Sequence, residues 1–273
     1  MIHDAKGMVR IPGFLLLLAA GIWQAQGSDP FLGNWVLDPS RSEIRAGLRV
    51  TIELRDKALR YSSGGVQFTA LFDGDEYPLR GLSARVGVVL SRVDSRTIKR
   101  VYRRDGVPVS EATMTVTPDG RFLTVSNRRL DPEGKGRTST STYQRVESGH
   151  ASDPFAGTWD RNPVRLMGNS PSGIAFEPFG NSGLHFIGDF LEYIAEADGR
   201  EYKALGTIVA DTISLTRIDR RTLEEVWKDG SKVAATVKRV ISTDGSELTA
   251  TVSGVTPQGD HFENVFVYRR SAP

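Results

Sequence analysis

The sequence predicts an all-β protein built as two tandem antiparallel up-and-down β-barrels, and three observations carry that prediction. Apolar and polar residues alternate over short runs, the mark of strands with one buried face. Asp-Gly pairs separate many of these runs, which suits two-residue hairpin turns with positive φ at both central residues. The whole pattern also occurs twice: Asp29-Pro30-Phe31-Leu32-Gly33-Asn34-Trp35 returns 124 residues later as Asp153-Pro154-Phe155-Ala156-Gly157-Thr158-Trp159.

In the first copy, residues 49–55 alternate without a fault. Runs at 58–62, 66–72, 85–92, 97–103, 107–116, 121–127 and 137–146 follow, so with a short strand around Trp35 the copy holds about nine. Asp73-Gly74, Asp105-Gly106 and Asp119-Gly120 lie between runs, as do Asp198-Gly199, Asp229-Gly230 and Asp244-Gly245 in the second copy. Residues 223–229 could form a helical turn, but their counterparts at 98–104 alternate like a strand, so no helix is expected. The offset between copies stays at 124 or 125 through Tyr143-Gln144-Arg145 and Tyr268-Arg269-Arg270, so both copies share one register. A meander of this size must close or stack to hide its edges, and pairing the first strand with the last closes it.

The segment 1–27 differs from the rest. Lys6 and Arg10 precede an apolar run at 11–23, and Ala25-Gln26-Gly27 supplies small residues for cleavage before Ser28, the pattern of a secretory signal peptide. That run is short against the roughly 20 residues that span a bilayer. With no cysteine in the chain, a lipoprotein anchor is excluded. The expectation is a periplasmic or secreted protein without an integral membrane span after cleavage. Its barrels occupy 28–146 and 153–270, joined by a short polar linker at 147–152 that leaves them close enough to pack on each other. Residues 28–150 carry 20 basic and 15 acidic groups, and 151–273 carry 13 and 17. Such a difference favours attraction between copies at low salt, although drift on solvated faces accounts for it as well.

A Gly-x-Trp on the first strand, a meander, and an arginine late in the last strand resemble the calycin group, which includes lipocalins, fatty-acid-binding proteins and avidins. More closely, Asp-Pro-Phe-x-Gly-x-Trp, Asp-Gly-x-Glu-Tyr and a Tyr-x-Arg ending are similar to small lipocalin-like proteins of bacterial genomes. The resemblance implies that the tryptophan closes one barrel end and the arginine lies across it. Those parts fall to Gly33, Trp35 and Arg145 in the first copy, and to Gly157, Trp159 and Arg270 in the second. A guanidinium over an indole contributes roughly 0.5 to 2 kcal/mol.

Alternation outward from Arg270 over Trp159 places Tyr268, Phe266, Asn264 and Phe262 inside the second barrel, and Arg145, Tyr143, Ser141 and Ser139 inside the first. An apolar pocket in the second barrel would then draw on Phe176, Phe186, Tyr193, Phe262 and Phe266, barrel mouths being frequent ligand sites. A solid side-chain core is the competing expectation. No nucleophile elbow is present, and His150, His185 and His261 have no repeated partner, so no catalytic residue is assigned. No metal-ligand spacing and no cofactor motif appear. The densest basic patch, Lys99, Arg100, Arg103 and Arg104, lacks the interleaved aromatics of a nucleic-acid site and reads as a solvated face, with a barrel–barrel contact as the alternative. Taken together, these features point to a non-enzymatic exported protein that binds or carries a small apolar ligand. The alternative is an envelope protein–protein interaction module with solid barrels.

Overall fold

The computed structural model describes residues 29–44, 49–64, 66–83, 85–130, 136–148, 153–161, 173–180, 182–256 and 259–271. The expected signal peptide, His150 and linker residues 149–152 lie outside them. Among the described residues there is no helix long and apolar enough to cross a membrane, and all regular structure is β.

The first copy supplies β1 (Gly33–Leu37), β2 (Arg49–Arg55), β3 (Ala58–Ser63), β4 (Val66–Leu71), β5 (Glu76–Pro78), β6 (Val86–Asp94), β7 (Thr97–Arg104), β8 (Val107–Val116), β9 (Phe122–Arg129) and β10 (Thr138–Ser148). The second supplies β11 (Gly157–Arg161), β12 (Gly173–Phe179), β13 (Gly183–Ile187), β14 (Glu192–Glu196), β15 (Asp198–Lys203), β16 (Thr212–Asp219), β17 (Thr222–Asp229), β18 (Lys232–Ile241), β19 (Glu247–Val255) and β20 (His261–Arg270). Buried and exposed residues alternate along most of them, as in β18, where Ala235, Val237, Arg239 and Ile241 face inward.

All neighbouring strands are antiparallel, and they form two ten-stranded, nearly closed barrel sheets. The first runs β4-β3-β2-β11-β10-β9-β8-β7-β6-β5, the second β14-β13-β12-β1-β20-β19-β18-β17-β16-β15. Each has one seam, between β4 and β5 or between β14 and β15, spanned only by single bridges, Gln67 to Arg80 and Glu192 to Leu205. Asp73-Gly74 and Asp198-Gly199 therefore turn the chain at a seam rather than within a hairpin. There the Tyr77 hydroxyl donates to Asp73 at 2.6 Å and the Tyr202 hydroxyl to Asp198 at 3.1 Å. Of the Asp-Gly pairs, only Asp105-Gly106 has both residues at positive φ (52° and 74°). At Asp73, Asp119, Asp198 and Asp244 the carboxylate instead accepts from the backbone two residues on, and in every pair but Asp105-Gly106 glycine alone takes the left-handed conformation.

Neither barrel is built from one copy, which corrects the expected assignment of 28–146 and 153–270 to one ring each. Strand β1 pairs with β12 and β20 of the second copy, and β11 pairs with β10 and β2 of the first. The Gly-x-Trp strands are exchanged. Repeated residues cannot choose between the two seats because both seats offer the same partners, so the unrepeated ones decide. Asp160 on β11 forms a two-pronged pair with Arg49 on β2 at 2.7 and 3.0 Å, whereas its own copy offers Gly173 at that register. Asp38, just past β1, pairs with Arg269 at 2.7 Å, where the first copy has Gln144. Exposed pairs contribute under about 1 kcal/mol each, but here they separate otherwise equivalent arrangements. Hereafter the first barrel is β2–β11, and the second is β12–β20 with β1.

Candidate functional site: a cavity shared by the two barrels

The repeated motif builds an identical plug in each barrel. Trp35 donates its indole N–H to the Phe31 carbonyl at 2.9 Å, and Trp159 to that of Phe155 at 3.0 Å. Asp29 and Asp153 cap the same turns by accepting from the Phe31 and Phe155 amides, and they pair with Arg217 and Arg92. Arg270 lies 4.1 Å from the Trp35 ring centroid and Arg145 3.9 Å from that of Trp159. The expected contacts thus form with partners crossed: Arg270 seals Trp35 and Arg145 seals Trp159, because each indole travels with its exchanged strand. Arg270 also donates to the carbonyls of Pro30, Leu32 and Gly245, and Arg145 to those of Pro154, Ala156 and Gly120. Gly33 is required because its φ is +117° and an added Cβ would sit 3.2 Å from the Arg270 guanidinium.

A cavity of about 430 Å³ is lined by residues of both barrels. The second barrel contributes Phe186, Trp227, Phe266 and Tyr268, and β1 brings Leu37. The first contributes Tyr61, Tyr102, Tyr143, Ser141 and Arg100, and β11 brings Arg161. Of the residues expected to form an apolar pocket, Phe186 and Phe266 line this cavity. Phe176 and Tyr193 are instead buried in the second barrel's core, and Phe262 packs over Gly254.

The charged lining escaped the sequence reading. Arg100 is 7% exposed, not solvated, with its guanidinium 4.3 Å from the Tyr102 centroid and 5.4 Å from that of Tyr61. The strand period could have found it, since Arg100 shares a face of β7 with Ile98 and Tyr102, both buried. Arg104, of the same patch, pairs with Asp229 at 2.9 Å.

The position matching Arg100 in the second copy is Glu225, which is 1% exposed. Glu225 accepts from Arg239 at 2.5 Å, from the Tyr193 hydroxyl at 2.7 Å and from the Trp227 indole at 2.8 Å. Position 114, matching Arg239, is Met114. The second barrel's buried charges are therefore paired with each other. Among the described residues no ion pair reaches Arg100, and its Nε has no hydrogen-bond partner. Arg161 Nε is likewise unpartnered; burial draws the Arg161 pKa down, opposed by Tyr143 and Asp189. Burial pushes the Tyr143 and Tyr268 hydroxyls up to about 12, so both stay neutral.

His185 binds Glu192 at 2.8 Å, but neither residue lines the cavity. His261 is exposed. Among the described residues, no three His, Cys, Asp or Glu side chains are grouped to hold a metal ion. No protein-family model matches the chain, and no curated protein matches it.

Proposed function

We propose that the protein is an exported, non-enzymatic carrier that holds a small apolar ligand in the cavity between its barrels. The observation that carries the reading is the cavity itself. Its volume, about 430 Å³, falls within the roughly 300 to 1,000 Å³ typical of small-molecule sites, and a mostly apolar wall with a few placed polar groups is the usual construction of such sites. Export rests on the segment 1–27. That the barrels pack as one unit is supported by pairs joining first-copy cations to second-copy carboxylates: Arg104 to Asp229, Arg85 to Asp211, Arg129 to Glu192 and Arg137 to Asp189.

Native mass spectrometry of the purified protein should reveal a co-purified apolar molecule, and an apolar fluorescent dye should brighten on addition and be displaced by that molecule. Protein that retains nothing and leaves the dye unchanged would refute the carrier reading.

A further inference from the structure

Two buried arginines, one in the wall of each barrel, are treated differently, and the difference points to the chemistry of the ligand. A charge taken out of water without a partner is costly, and proteins satisfy it with an opposite charge or hydrogen bonds. Arg239 has Glu225. Arg100 has aromatic faces and tyrosine hydroxyls, but no carboxylate among the described residues, and it opens onto the cavity. The strand exchange accentuates the contrast. It sets Arg161 opposite Tyr143 in the first barrel and Leu37 opposite Tyr268 in the second, so one wall gains a cation and the other an apolar side chain. The carboxylate in the lining, Asp189, lies 3.6 Å from Arg137 and acts on Arg161. That leaves the charge on Arg100 to be met.

We propose that the ligand carries a single oxyanion head, a carboxylate, bound by Arg100 with Arg161 at the first barrel's wall, while its apolar body lies against Phe186, Trp227 and Phe266 of the second. This deepens the carrier reading and rests on it. One unmet guanidinium calls for one negative charge, and its planar fork matches the two oxygens of a carboxylate.

Dodecanoate and dodecan-1-ol share a chain and differ at the head, so calorimetric titration of the full chain with each separates head from body. The unaltered protein should bind the acid about tenfold or more tighter than the alcohol, the contribution expected of a charge-assisted hydrogen bond. Arg100→Met, close in length and uncharged, should lose about that factor for dodecanoate and keep its affinity for dodecanol. Equal binding of acid and alcohol by the unaltered chain would overturn the proposal, as would undiminished dodecanoate affinity in R100M; in either case the carrier reading still stands. Binding of neither compound would remove the carrier reading itself. The acid–alcohol comparison requires no variant to fold.

Discussion

Trp159 is fully buried and held at both ends, its indole N–H on the Phe155 carbonyl and its face under Arg145. Truncation there leaves a cavity where the first and last strands of a ring meet. Trp159→Ala should cost about 3 to 5 kcal/mol, read as a lower urea midpoint at constant slope; an unshifted midpoint would contradict this placement. Glu225 is a different kind of residue, a buried anion whose removal strands Arg239. Glu225→Gln should cost about 3 to 5 kcal/mol, and replacing Glu225 and Arg239 together by apolar residues should cost less than that, because an unpaired buried charge is worse than none. Urea denaturation of the single and double variants measures both, and additive losses would show that the pair is not the unit.

The hairpin β18–β19 turns on Asp244, which accepts from the Ser242 hydroxyl at 2.6 Å and from the amide and hydroxyl of Ser246. These bonds hold its carboxyl down to about 2, and Thr117 with Arg121 act in the same direction on Asp119 in the other copy. A folded pKa below the unfolded value of 3.8 means stability that is present above pH 3.8 and is lost as pH falls toward 2. Melting temperatures across that window should therefore fall less steeply in Asp244→Asn than in the unaltered chain; parallel slopes would show that the turn contributes nothing. The exchanged strand has a sharper test, because the chain has no cysteine. Val36 faces Arg269 across β1 and β20, and Cα atoms facing each other in antiparallel strands lie about 4.5 to 5.5 Å apart, within disulfide reach. Val36→Cys with Arg269→Cys should crosslink on oxidation, whereas Val36→Cys with Gln144→Cys, the within-copy partner, should not. The reverse pattern would return each tryptophan strand to its own copy. Elements were legible in the sequence where period-two alternation was clean, as at Arg49–Arg55 and Val107–Val116, where the expected and observed bounds coincide. The exchange was not legible, since a repeat by its nature offers each strand two equivalent seats. Nor was β5, only three residues long, beside a seam that the Asp73-Gly74 pair disguised as a hairpin. At the site, alternation along the last strands gave Phe266, Tyr268, Tyr143 and Ser141, whereas Arg100 was hidden in a basic cluster with Lys99, Arg103 and Arg104.

Across the whole molecule, the charge difference between the copies takes on a location. Asp229 accepts from Arg104 at 2.9 Å and from the Ser83 amide and hydroxyl at 2.8 and 3.0 Å, and the Asp229 and Arg104 side chains are only 7% and 10% exposed. Burial pushes the Asp229 carboxyl up, but the Arg104 and Ser83 hydrogen bonds outweigh it and leave the pKa below its ordinary value. Arg104 also donates to the Ile208 carbonyl, and the Ile208 side chain is counted among the first barrel's core residues although it belongs to the second copy. Two strands that cross between barrels and the shielded pairs Arg104–Asp229 and Arg129–Glu192 should make the rings unfold together. Scanning calorimetry of the unaltered protein should therefore give one transition whose calorimetric and van't Hoff enthalpies agree. Asp229→Ala leaves Arg104 shielded without its anion, at a cost of about 3 to 5 kcal/mol. If the joint rather than either barrel bears that loss, the single transition should split or broaden while the far-ultraviolet spectrum of the folded state is unchanged. A uniform downward shift of one sharp transition would place Asp229 in the fabric of a single barrel. Two transitions in the unaltered chain would mean that the exchanged strands do not couple the rings.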